Sequence, residues 1–178
     1  MPEQTSHRPL IAERRVVVDD AWVLCEDAEQ RPESQPAIIP LEAWQVSAKG
    51  EALAPWLPSD TEMTAELAEE LRDAPLVAID FPKFTDGRGY SIARLLRERY
   101  GYTGQIRAVG DVLIDQLFYM SRCGFDAFLL REDQVVEDAL KALDTFSLSY
   151  QPGTDDPEPL FRRRLRKPGK TQADRAVA

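Results

Sequence analysis

Between residues 53 and 143 short apolar runs alternate with stretches whose apolar positions recur every three or four residues. Residues 53–57 read as a short strand. Ser59 with Glu62 has the spacing of a capping box, ahead of Met63, Leu67 and Leu71 at helical spacing until Pro75. Leu76-Val77-Ala78-Ile79 is apolar without alternation. A strand covered on both faces has that character, so 76–81 is predicted to be central and buried. Ile92, Leu95, Leu96 and Tyr100 form a helical stripe that Gly101 ends. Residues 105–109 read as the next strand. Gly110-Asp111 then turns into a helix with Leu113, Leu117 and Met120 inward, ending near Cys123-Gly124. Residues 127–130 are a further strand, and Val135, Val136, Ala139, Leu140 and Leu143 mark a final helix.

About four consecutive βα units follow from this pattern, and right-handed crossovers between them align the strands in parallel. The expected class is α/β, with a small parallel sheet or a half-barrel-like arc. The 178 residues fall short of the ~250 that a complete eight-stranded barrel takes.

The front of the chain reads differently. Residues 1–13 look like a disordered tail. Residues 15–18 and 21–24 are β-rich runs flanking Asp19-Asp20, which suggests a hairpin. Residues 26–36 are polar with two prolines and read as a loop, and 37–41 and 44–46 suggest one or two more strands. The expectation is one α/β domain over 14–150, with a short antiparallel β region at its front (14–50). Residues 151–178 complete the chain as a flexible basic tail.

Composition narrows the chemistry. The single histidine, His7, lies in the predicted tail, which argues against a histidine triad, a His-rich metal site or a His acid/base pair. Acid/base work falls to carboxylates, tyrosine, lysine or cysteine. Cys25 and Cys123 lie far apart with no C-x-x-C, so both are expected as free thiols, and no metal site is predicted. Cys123, at a helix C-terminus where the dipole disfavours a thiolate, is expected to be structural. No apolar run approaches the ~20 residues of a membrane helix, and residues 1–9 lack a signal-peptide core, so a cytoplasmic protein without membrane contact is expected. The net charge is −9. Residues 161–178 hold seven Lys/Arg against one Asp, which leaves −15 on the remainder. An acidic body argues against duplex nucleic acid as a partner.

The candidate chemistry concentrates in Phe81-Pro82-Lys83-Phe84-Thr85-Asp86-Gly87-Arg88-Gly89-Tyr90-Ser91, where a strand end feeds a helix start. Gly87 and Gly89 permit backbone angles that could gather N–H groups into an anion nest. Lys83 and Arg88 add positive charge, and Arg88 can clamp an oxyanion in bidentate fashion. Asp86 either orients Arg88 or acts as a base. Turn and cap chemistry accounts for the same Thr85-Asp86-Gly87 equally well. Neither G-x-x-x-x-G-K-[ST] nor G-x-G-x-x-G occurs.

Parallel strands bring their C-terminal ends to one edge, so three loops are expected together: 82–90, 110–111 and 131–133. They offer Lys83, Asp86, Arg88, Asp111 and Arg131, predicted to converge on one face. Asp111 is either a helix N-cap or a catalytic carboxylate. Arg131 either binds a ligand with the other cations or pairs with a neighbouring acid. Tyr90, Tyr100, Tyr102, Phe118 and Tyr119 read as core or rim aromatics.

Residues 81–133, FPKFTDGRGYSIARLLRERYGYTGQIRAVGDVLIDQLFYMSRCGFDAFLLRED, closely resemble a bacterial family labelled DUF934, a domain of unknown function. The likeness continues more loosely back to about Arg14 and forward to about Arg164. That family is described as a predicted oxidoreductase of sulfite reduction, because its genes tend to lie beside those for sulfite reductase and sulfate assimilation. The resemblance therefore implies a role in sulfur assimilation, with sulfite reductase or another protein of that pathway as partner. Sulfite reduction is a multi-electron reaction and needs a redox cofactor. This chain has no flavin or nicotinamide fingerprint and too few thiols for a four-cysteine cluster. No cofactor is therefore expected, and an accessory role, binding a small anion or a partner protein at the 82–90 edge, fits better than that of the reductase. A small enzyme with Asp86 or Asp111 as base and Arg88 as anion clamp is the alternative, and a ligand-free assembly factor a third.

Overall fold

The computed structural model describes residues 8–32, 34–48 and 50–165, so the tail expectations for 1–7 and 166–178 lie outside the described residues. In chain order the elements are β1 (Leu10–Ala12), β2 (Arg15–Val17), β3 (Val23–Leu24), β4 (Ala37–Pro40), α1 (Leu41–Val46), β5 (Leu53–Leu57) and α2 (Ala65–Leu71). Then come β6 (Leu76–Phe81), α3 (Arg88–Arg94, running into a π-helical turn, Leu95–Arg99), β7 (Gln105–Gly110), α4 (Leu117–Cys123), β8 (Ala127–Leu129), α5 (Val136–Leu143) and α6 (Leu160–Leu165). The strands form one curled, half-barrel-like sheet in the order β2-β1-β8-β7-β6-β5-β4-β3. From β3 to β8 every neighbouring pair is parallel, and β1 and β2 add an antiparallel hairpin beside β8.

The βα units from residue 53 onward take their predicted places. β6 is interior to the sheet, and its Val77 and Ile79 are 0 % exposed. Residue parity divides its side chains. Val77, Ile79 and Phe81 join the main core beneath the helices, with Ile92, Leu96, Leu117 and Met120. Leu76 and Ala78 face the opposite side, in a smaller cluster with Ile38, Ala54 and Val109, against which Trp22 and Trp56 pack. Both cysteines are buried free thiols, and burial pushes the Cys123 thiol up. No helix among the described residues is long and apolar enough to cross a membrane.

The front region departs from expectation in three ways. Leu10–Ala12, read as tail, is a strand between β2 and β8, and Ile11 is fully buried. It pairs with β2 through the turn Glu13-Arg14, both residues at positive φ, as a two-residue hairpin loop demands. The expected hairpin around Asp19-Asp20 therefore does not form, and β2 and β3 end at opposite edges of the sheet. The segment between them is pinned by Asp20, whose carboxylate pairs with the buried Arg107 guanidinium at 2.5 Å. Finally, residues 44–46, read as a strand, belong to α1. Leu41 and Trp44, three apart, put one helical face into the core. Beyond residue 150, within the stretch read as a flexible tail, 160–165 form α6, and the segment before it is held to α4 by Arg122, which pairs with Asp155 at 2.8 Å.

Candidate functional site

The parallel register brings Phe81 of β6 opposite Gly110 of β7, and β8 ends beside them. The loops after these strands enclose an open cleft of about 650 Å3 at the C-terminal edge of the sheet. Asp80, Gly110, Asp111 and Arg131 line it, with Glu132, Asp133 and, from the N-terminal arm, Arg8.

Asp111 ties the three loops together. One carboxylate oxygen accepts from the Phe84 backbone N–H (2.8 Å) and the other from Arg131 Nη1 (2.8 Å). Arg131 also donates through Nε and Nη2 to Asp133 (2.6 and 2.8 Å). These bonds hold Asp133 well below the usual carboxylate range and push Arg131 up.

Asp86 and Arg88 form a second cluster. The Arg88 fork donates to both Asp86 oxygens (Nε–Oδ1 3.0 Å, Nη2–Oδ2 2.7 Å) and to Ser59 Oγ (2.9 Å), and Ser59 donates in turn to Asp86 (2.7 Å). Ser59 is thus a latch between the β5–α2 and β6–α3 loops. The helix cap predicted there falls to Thr64, which accepts from the Leu67 N–H at 3.2 Å. Arg88 and Ser59 together hold Asp86 far below its ordinary 3.8. Lys83 is exposed and belongs to neither set; its carbonyl accepts from the Asp86 N–H.

Four of the predicted residues therefore meet in two separate pairs, Asp86 with Arg88 and Asp111 with Arg131. Gly87 sits at φ −92°, and neither it nor Gly89 takes a positive φ. What Gly89 supplies is room, because a Cβ there would lie 2.8 Å from the Phe81 ring. The alternating-hand backbone of an anion nest is therefore not formed at these two glycines.

A depressed carboxylate stabilises the fold above its ordinary pKa, and that contribution is lost as pH falls through the lower, folded value. Asp86→Asn is accordingly expected to flatten the acid limb of a Tm-versus-pH curve between about pH 4 and pH 2. Asp80 has the opposite sign and is itself pushed up by Asp86, so the same comparison in an Asp80→Asn background isolates Asp86. Identical acid limbs would show that the Asp86 network contributes nothing.

The sequence reading missed Asp80 and Arg8. Asp80 shares the parity of Leu76 and Ala78 and is half-buried at the cleft. Burial, and then the neighbouring Asp86, push its carboxyl up. The available signal was a lone carboxylate ending an apolar strand. Arg8 donates to the carbonyls of Leu130 (Nε, 3.0 Å), Leu129 (Nη2, 3.3 Å) and Gly110 (Nη2). Its signal was weaker, a cation just before the apolar Leu10-Ile11.

The model of a family described as "Bacterial protein of unknown function (DUF934)" matches residues 54–161, more than half of the chain. The chain belongs to the DUF934 family. The matched span runs from β5 to the start of α6 and so contains every loop of the cleft, while Arg8 lies before it. No curated protein and no solved structure matches the chain.

Proposed function

We propose that this DUF934 chain is an accessory protein of sulfite reduction whose working surface is the cleft at the ends of β6, β7 and β8. The observation that carries the choice of this surface is Asp80. It is a half-buried carboxyl group, raised in pKa, at the edge where parallel sheets place ligands. The pathway comes from the family resemblance and its gene neighbourhood. Arg88 and Arg131 shape the loops from within their ion pairs, and binding is assigned to the cleft.

Deleting the gene is expected to impair growth on sulfate or sulfite, with cysteine restoring it. The wild-type gene should complement the deletion and Asp80→Asn should not. Normal growth of the deletion strain on sulfate would remove the pathway, and full complementation by Asp80→Asn would remove the site.

A second reading, an enzyme with a carboxylate base at this edge, is favoured by the same residue. Asp86 and Asp111 have both oxygens engaged by donors, whereas Asp80 has no ion pair among the described residues and its raised pKa suits proton transfer.

A further inference from the structure

The charges lining the cleft do not all close on one another. Arg131 is met by Asp111 and Asp133. Asp80 and Arg8 stand apart from that set, and neither has an ion pair among the described residues. Carbonyl oxygens fix the Arg8 guanidinium through Nε and Nη2, Nη1 donates to no described residue, and the carboxylates whose charge reaches it are Glu132, then Asp111, then Asp80. The two groups meet over Gly110. Arg8 donates to the Gly110 carbonyl, and a Cβ on Gly110 would lie 2.4 Å from Asp80 Oδ1. A carboxylate and a guanidinium thus flank one bare Cα on the floor of the cleft.

We propose that the cleft binds a small zwitterion of the α-amino-acid type, its ammonium on Asp80 and its carboxylate on Arg8. A simple anion entering here meets Asp80, and a simple cation meets Arg8. A molecule carrying both charges a bond or two apart turns both encounters into attraction. The volume of about 650 Å3 leaves room for a side chain. An ammonium would also relieve the burden that burial and Asp86 place on the Asp80 carboxylate. The proposal rests on the cleft being a binding site and is independent of the pathway.

The test is a thermal-shift screen of the purified full chain against the standard proteinogenic α-amino acids, with calorimetry on those that raise Tm. At least one is expected to bind. Its decarboxylated amine and its deaminated acid should each bind at least about tenfold more weakly, as should the Asp80→Asn and Arg8→Gln proteins. Arg8→Lys should recover part of the affinity, with circular dichroism confirming that each variant is folded. The proposal is overturned if no amino acid raises Tm, if amine or acid alone binds as tightly as the parent, or if Asp80→Asn binds unchanged. A growth defect without amino-acid binding would leave the pathway standing and remove this ligand, and binding with normal growth would do the reverse.

Discussion

Arg97→Ala is expected to lower the unfolding free energy by about 3–4 kcal/mol, one of the two largest single-residue effects anticipated here. Arg97 lies in the π-helical turn after α3, at the end of the sheet opposite the cleft. Its guanidinium donates to the carbonyls of Gly124 (3.0 Å), Tyr102 (2.7 Å) and Gly104 (2.8 Å) and to Asp126 (2.8 Å). Asp126 in turn accepts from the Ile106 N–H at 2.9 Å. One side chain therefore holds the turn before β7 against the turn before β8. The ion pair is the smaller part of the loss, because 43 % of the Asp126 side chain reaches water. The larger part is three carbonyls left without their donor. Arg97→Lys should recover less than half, since an ammonium lacks the fork that serves several acceptors. Urea unfolding measures both variants. A loss below about 1 kcal/mol for Arg97→Ala would mean that water replaces the guanidinium freely.

Gly110→Ala is expected to destabilise the fold by about 3 kcal/mol and to abolish any binding at the cleft. Gly110 has φ +90°, where an L side chain is strained, and a Cβ would approach both Asp80 Oδ1 and the Phe81 carbonyl to 2.4 Å. The backbone contact cannot swing away, because Phe81 O also accepts from the Asp111 N–H at 2.7 Å. Asp80→Ala in the Gly110→Ala background separates the causes, because it removes the carboxyl atoms that a Cβ at Gly110 would meet. If the double variant is as unstable as the single, the backbone dominates, and if it regains stability, the clash with Asp80 does. Wild-type stability for Gly110→Ala in urea would show that the β7 turn relaxes without strain.

Much of the cleft's location was legible in the chain. The apolar run ending at Phe81, the turn at Gly110-Asp111 and the charged 131–133 segment are local signals, and parallel strands must bring such loops to one edge. What those loops do there was not legible. For Arg88 and Arg131 the residue types left both an anion clamp and an ion pair open, and each meets a carboxylate, Arg88 one two residues earlier and Arg131 Asp133 and, twenty positions back, Asp111. Whether a cation in a loop faces a ligand or a neighbour depends on side-chain directions that spacing alone does not set. Asp80 escaped because an apolar strand is read for its majority, and its polar member counts only once the two faces of the sheet are distinguished.

The sequence by itself determined the βα units from residue 53 onward, the burial of β6 and the edge that carries the charged loops. Periodicity and turn chemistry act over a few residues and are written where they act. Only the tertiary structure decided that β1 partners β2, that β2 and β3 lie at opposite edges, and that Asp20 pins Arg107 across 87 positions. The tertiary structure alone also brought Arg8 to the Gly110 carbonyl across 102 positions, opposite Asp80. The reason is that strand partners and charge partners are chosen by long-range packing, in which a few short β-prone runs compete for the same sheet edge and each guanidinium goes to whichever acceptors the closed fold brings within reach.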